Sequence, residues 1–179
     1  MELIIVDLNK ELFDIETLCA NLPIDIQKRI DRYKQDDDRV SSIVAWNIVH
    51  KKLDLNVNQV YYNESGKPFI KQKYFSISHS HNLVGVLFDN NECGLDIEFV
   101  TKRYDKLASK ILNSNELIEY NINPDILIKK WTMIEAYCKG LGTGFRFDLI
   151  KDLPENIITQ ELTDSLNNKY YYSFWIKNI

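Results

Sequence analysis

The chain has 179 residues, of which 45% are hydrophobic, 12% aromatic and 27% charged, a balance that supports a packed core and excludes a disordered tail. A formal net charge of −4 argues against general affinity for nucleic acid, which a basic surface would drive. Cys19, Cys93 and Cys138 form no CxxC pair, so neither a zinc ribbon nor a disulfide framework is indicated. No apolar run approaches a signal peptide or a membrane span, which makes a cytoplasmic protein without a membrane partner the expectation.

Leu3–Leu8 is apolar enough for a first strand. Pro23 and Asp25 open a helical stretch to about Tyr33. Asp36, Asp37 and Asp38 place negative charge where a helix N-terminus favours it. Val40, Ile43, Val44, Ile48 and Val49 then recur at helical spacing to about Leu53. Val60–Tyr62 and Pro68–Ile70 flank Glu64-Ser65-Gly66-Lys67, a hairpin signal. Phe75–Ser80 alternates, with Phe75, Ile77 and His79 on one strand face and Ser76, Ser78 and Ser80 on the other. Leu83–Phe88 and Cys93–Val100 read as further strands joined by the turn residues Asp89-Asn90-Asn91. Leu107, Ala108, Ile111 and Leu112 mark a helix. Asn123-Pro124 starts another that runs to Lys139, with Gly140 as its terminator. Phe145–Ile150 and Tyr170–Ile176 look like strands. Hairpins mixed with helices, without βαβ alternation, predict an α+β fold.

Four segments could carry chemistry. In Gly94-Leu-Asp-Ile-Glu98, strand geometry turns Asp96 and Glu98 to one face and Leu95, Ile97 and Phe99 to the other. Two carboxylates so placed suit a hard cation such as Mg²⁺, although one packed and one solvated strand face gives the same pattern. In Trp131-Thr-Met-Ile-Glu-Ala-Tyr-Cys-Lys139, residues Leu127, Trp131, Ile134 and Cys138 form an apolar stripe with Glu135 at its margin and Lys139 one turn on. A carboxylate there is ligated, paired or protonated, and a surface ion pair is the plainer alternative. Ser78-His79-Ser80-His81 offers two histidines, with only His50 elsewhere. That is too few for a zinc site without unsupported help, and anion binding by a histidine is a modest role. Gly140-Leu-Gly-Thr-Gly144 lacks the Gly-Lys-Ser/Thr of a Walker loop and reads as a helix stop. Basic residues gather at Lys28, Arg29 and Arg32, and at Lys102, Arg103, Lys106 and Lys110. Either group could be a solvated helix face or could meet a phosphate or an acidic partner.

Taken in order, Gly-Lys-Pro at 66–68, Phe75-Ser-Ile-Ser-His-Ser80, Gly94-Leu-Asp-Ile-Glu98 and Trp131-Thr-x-x-Glu-Ala-x-x-Lys139 resemble the 4′-phosphopantetheinyl transferases of the surfactin-synthetase-activating type. The resemblance covers residues 25 to 145, and the segment Tyr104–Glu116 fits that family's helix after the acidic strand. It implies two similar, pseudo-twofold-related halves, about 1–95 and 96–179, each a small antiparallel sheet with a packed helix and with the active site between them. It further implies transfer of the 4′-phosphopantetheine arm of coenzyme A to a serine of an acyl or peptidyl carrier protein, with release of adenosine 3′,5′-bisphosphate. Asp96, Glu98 and Glu135 match the family's Mg²⁺ ligands. Lys28, Lys67, Ser78 and His79 match its CoA-binding positions. Glu135 and Lys139 match the catalytic pair, Glu135 as base and Lys139 as stabiliser of the leaving group. The implied partner is an acidic carrier that meets Lys102, Arg103, Lys106 and Lys110, and a monomer is expected. Ile134 stands where the family usually has Lys. Relatives commonly carry more chain after the last strand, so a short second sheet is expected. A CoA- or carrier-binding relative with weak turnover, or a Mg²⁺-dependent phosphohydrolase, is the alternative reading.

Overall fold

The N-terminal apolar run forms β1 (Glu2–Asp7), and it pairs antiparallel with the middle strand of a hairpin made by β4 (Tyr74–Ser80) and β5 (Leu83–Asp89). In this computed structural model the described residues are 1–56 and 58–178, apart from the side chains of 103–105. The first sheet has the order β1-β5-β4. A small ribbon of β2 (Tyr61–Tyr62) and β3 (Pro68–Phe69) lies between β1 and β4 in the chain. The second sheet is built by β6 (Cys93–Phe99), β7 (Ile158–Thr163) and β8 (Lys169–Ile176), in the order β6-β8-β7. Six helices complete the described chain: α1 (Ile15–Ala20), α2 (Ile24–Ile30), α3 (Asp36–Leu53), α4 (Ala108–Ile111), α5 (Ser114–Tyr120) and α6 (Asp125–Leu141). The fold is therefore α+β, as the sequence predicts, with two three-stranded antiparallel sheets. No described helix is long and apolar enough to cross a membrane.

Strand alternation sorts the core into layers. Val84, Val86 and Phe88 of β5 point to one side and pack with Ile43, Val44 and Val49 of α3. Leu83 and Leu87 point to the other and meet Leu95 and Ile97 of β6 and Tyr170, Tyr172 and Phe174 of β8. On the outer face of the second sheet, Tyr171 packs with Leu127, Ile134 and Cys138 of α6. The order is thus α3, sheet, sheet, α6, with Asp96 and Glu98 on the face of β6 that looks toward α6. Gly94 permits this layering. A Cβ there would stand 1.9 Å from the Ala136 carbonyl oxygen and 2.3 Å from the Gly140 nitrogen, so only glycine lets α6 lie this close on β6.

Three elements depart from expectation. Phe145–Ile150 is not a strand: Phe147–Asp152 is a 3₁₀ turn, and the Phe145 ring stacks on Trp131 at 5.0 Å and meets Phe147 edge-on, so its apolar side chains cover α6 and do not extend a sheet. Helix α6 does not stop at Gly140. It runs to Leu141 and is capped by Gly142 in the left-handed region at φ 67, while Gly140 makes room for the Trp175 ring. Strand β7 is not evident in the sequence because Ile158–Thr163 is a mostly exposed edge strand of Thr, Gln and Glu. The expected boundary between residues 95 and 96 falls inside β6.

Candidate active site

The largest of the described clefts, ≈ 570 Å³, opens between α2, the β2–β3 turn, β4, β6 and α6. Its floor carries Ser78 and His79 from β4, Asp96 and Glu98 from β6, and Glu135 and Lys139 from α6. Each pair arrives by the periodicity of its element. Asp96 and Glu98 are two apart on a strand, and Glu135 and Lys139 are four apart on a helix. Residues separated by up to 61 positions thereby meet around one group, the Asp96 carboxylate.

Asp96 is 3% exposed. Its Oδ1 accepts hydrogen bonds from Lys139 Nζ at 2.6 Å and Ser78 Oγ at 3.1 Å, and Lys139 Nζ also donates to Ser78 Oγ at 3.0 Å. Its Oδ2 is buried without a hydrogen-bond partner among the described residues. Burial pushes the Asp96 carboxyl above the usual carboxylate range, against the opposing pull of the Lys139 ammonium. Glu135 is raised as well, first by burial and then by the negative charge of Asp96. Burial lowers His79, and the Lys139 charge lowers it further against the pull of Asp38.

Among the described residues no three His, Cys, Asp or Glu side chains are grouped closely enough to hold a metal ion as they stand. The donors nonetheless fit a hard cation. They are carboxylate oxygens, one of them is a buried oxygen without a partner, and an ammonium already neutralises the other oxygen of the same carboxylate.

No family model matches the chain. A curated relative, 4′-phosphopantetheinyl transferase gsp of Aneurinibacillus migulanus, is 29% identical over 150 residues, which cover 77% of this chain and 62% of the relative. The chain is similar to a phosphopantetheinyl transferase. The chain spans less than two thirds of that relative's length, and the likeness agrees with the resemblance carried by the four ordered motifs.

The positions implied by that resemblance fall into two groups. Ser78, His79, Asp96, Glu98, Glu135 and Lys139 share the cleft. Lys67 and Lys28 do not line it. The Lys67 ammonium donates to the carbonyls of Gly140 at 2.7 Å and Cys93 at 3.2 Å, tying the β2–β3 turn to the end of α6, and its burial there lowers its pKa. Lys28 is exposed on α2, whereas its neighbours Arg29 and Arg32 line the cleft. Helical phase decides between them. Ile26 and Ile30 bury one side of α2, which turns Arg29 over the Tyr62 ring at 3.6 Å. The sequence marks Arg29 and Arg32 only as basic, and it marks Trp131 only as apolar. The structure adds that Trp131 Nε1 donates to Glu98 Oε1 at 3.0 Å. His81 lies beyond the end of β4 at φ 50 and is exposed, outside this cleft.

Proposed function

We propose that the chain is a Mg²⁺-dependent 4′-phosphopantetheinyl transferase that moves the phosphopantetheine arm of coenzyme A to a serine of an acyl or peptidyl carrier protein and releases adenosine 3′,5′-bisphosphate. The observation that carries the reading is the convergence of Ser78-His79, Asp96-x-Glu98 and Glu135-x-x-x-Lys139 on one cleft. Asp96, Glu98 and Glu135 would hold the cation. Mg²⁺, when bound, offsets the charge that develops on the pyrophosphate as its linkage breaks. Lys139, 2.6 Å from Asp96, is placed to follow that charge and donate to the departing phosphate. Glu135 accepts the proton of the attacking serine, directly or through a water. His79, Arg29 and Arg32 bind the remaining phosphates of CoA.

Strand β4 lies beside β6, and one chain supplies every named group, so a monomer is sufficient. Lys102, Lys106 and Lys110 are exposed and are the proposed contacts for an acidic carrier. The Arg103 side chain lies outside the described residues. The test is mass spectrometry of apo acyl and peptidyl carrier proteins incubated with this protein, CoA and Mg²⁺. The reading expects a gain of one phosphopantetheine arm, lost when the cation is chelated. CoA cleavage without any carrier gain would replace it with a phosphohydrolase, and CoA binding without either reaction would replace it with a non-catalytic binder.

A further inference from the structure

Strands β4 and β6 are joined by side chains. The hydroxyls of Ser76, Ser78 and Ser80, which strand alternation puts on one face of β4, accept the backbone N–H groups of Leu95 at 3.0 Å, Ile97 at 3.1 Å and Phe99 at 3.0 Å. A serine hydroxyl that accepts still has one proton to donate. Ser78 gives it to Asp96 Oδ1, and Ser80 gives it to Glu98 Oε2 at 3.2 Å. Ser76 has a glycine, Gly94, at the corresponding place, so it makes the same seam contact with no carboxylate to aim. The second oxygen of Glu98 is held from the opposite side by the Trp131 indole N–H, whose ring is itself fixed by stacking on Phe145 at 26°.

We infer that Ser80 and Trp131 are positioning residues that hold Glu98 between β4 and α6 in the orientation in which it meets a divalent cation beside Asp96. The inference rests on the metal-dependent reading above. A glutamate has three side-chain torsions, and freezing them on metal binding costs free energy that a preset orientation avoids. The Ser80 hydroxyl and the Trp131 indole are neutral donors, so each orients the carboxylate without adding a charge to it. Partners of this kind, one shell removed from a metal, set its affinity.

The experiment titrates the protein with Mn²⁺ in the presence of CoA and without carrier, following free Mn²⁺ by electron paramagnetic resonance, and records thermal melting alongside. Ser80→Ala and Trp131→Phe, the latter keeping the aromatic stack, should each weaken Mn²⁺ binding about 10–100-fold. Ser80→Thr, which keeps the hydroxyl, should restore it. Ser76→Ala should lower the melting temperature as Ser80→Ala does while leaving Mn²⁺ binding as in the wild type. Wild-type binding by both Ser80→Ala and Trp131→Phe overturns the inference and leaves the proposed function standing. Equal loss in Ser76→Ala also overturns it, because the seam alone would then account for the effect. A wild-type protein that binds no Mn²⁺ with CoA overturns the metal-dependent reading and the inference with it.

Discussion

The two oxygens of Asp96 differ: one rests on the Lys139 ammonium and the other is buried with no partner among the described residues. An unsatisfied buried oxygen destabilises the fold unless a ligand completes it. Asp96→Asn keeps the shape and an acceptor for Lys139 but removes the charge. It should cut transfer by at least about a hundredfold while the melting temperature stays close to wild type. Transfer near the wild-type rate would remove Asp96 from the proposed metal site. Ile134 presents the opposite case. It is fully buried in the apolar cluster between α6 and the second sheet and does not line the cleft, so a lysine at this position has no short path to a phosphate. Ile134→Lys should cost on the order of 1–3 kcal/mol in denaturant unfolding, with no gain in transfer. A more stable and faster variant would place residue 134 at the cleft.

At the scale of elements, the close crossing of β6 and α6 sets the distance between Asp96 and Lys139, and Gly94 sets the crossing. The Cβ of Gly94→Ala would overlap helix backbone, which cannot swing aside as a side chain can. The variant should lose more than about 3 kcal/mol of stability, checked by denaturant unfolding; near-wild-type stability would mean that the helix can lift without cost. The β2–β3 turn is a second such device. Asn63 Nδ2 donates to the Gly142 carbonyl at 2.6 Å, and Lys67 reaches Gly140 and Cys93. Gly66 and Pro68 beside them line the cleft. Lys67→Met should therefore raise the KM for CoA more than it lowers kcat, together with a lower melting temperature; an unchanged KM would limit Lys67 to stability. These elements also mark how far the sequence was legible. Strand alternation put Asp96 and Glu98 on one face, and helical spacing put Glu135 beside the Lys139 position, because each follows from local geometry. Phase errors account for much of the rest. One step along α2 separates exposed Lys28 from Arg29 in the cleft, and nothing local to Phe145–Ile150 says that its aromatics cover Trp131 when an edge strand would have the same composition. The Trp131–Glu98 bond spans 33 positions, and no spacing rule reaches it.

Across the whole molecule, among the described residues, hydrogen bonds reinforce the apolar layer between the two sheets at two places. One is the serine seam of β4 and β6. The other is Asp164, in the turn between β7 and β8, which binds groups from both halves. Its carboxylate accepts from the Asn168 side chain at 2.9 Å, Asn82 Nδ2 at 3.3 Å and Tyr170 OH at 3.0 Å, and from the backbone N–H groups of Leu166 and Asn168. Asn82 lies in the β4–β5 turn of the first sheet, and nearby Asp7 Oδ2 accepts from the Ser165 backbone at 2.7 Å. Burial alone would push the Asp164 carboxyl up, but the bonds from Asn168, Asn82 and Tyr170 prevail and hold it well below the usual carboxylate range. A carboxyl with a lowered folded-state pKa stabilises the fold above its unfolded value, about 3.9, and that contribution is lost as pH falls toward the folded value. Wild-type melting temperature should therefore drop on acidification below about pH 4. Asp164→Asn, which cannot accept all of these bonds, should melt lower at pH 7, and its gap from wild type should narrow as the pH is lowered. Thermal melting of both proteins from pH 7 downward measures the gap. A gap that stays constant or widens in acid would show that the Asp164 charge does not help to hold the two sheets together.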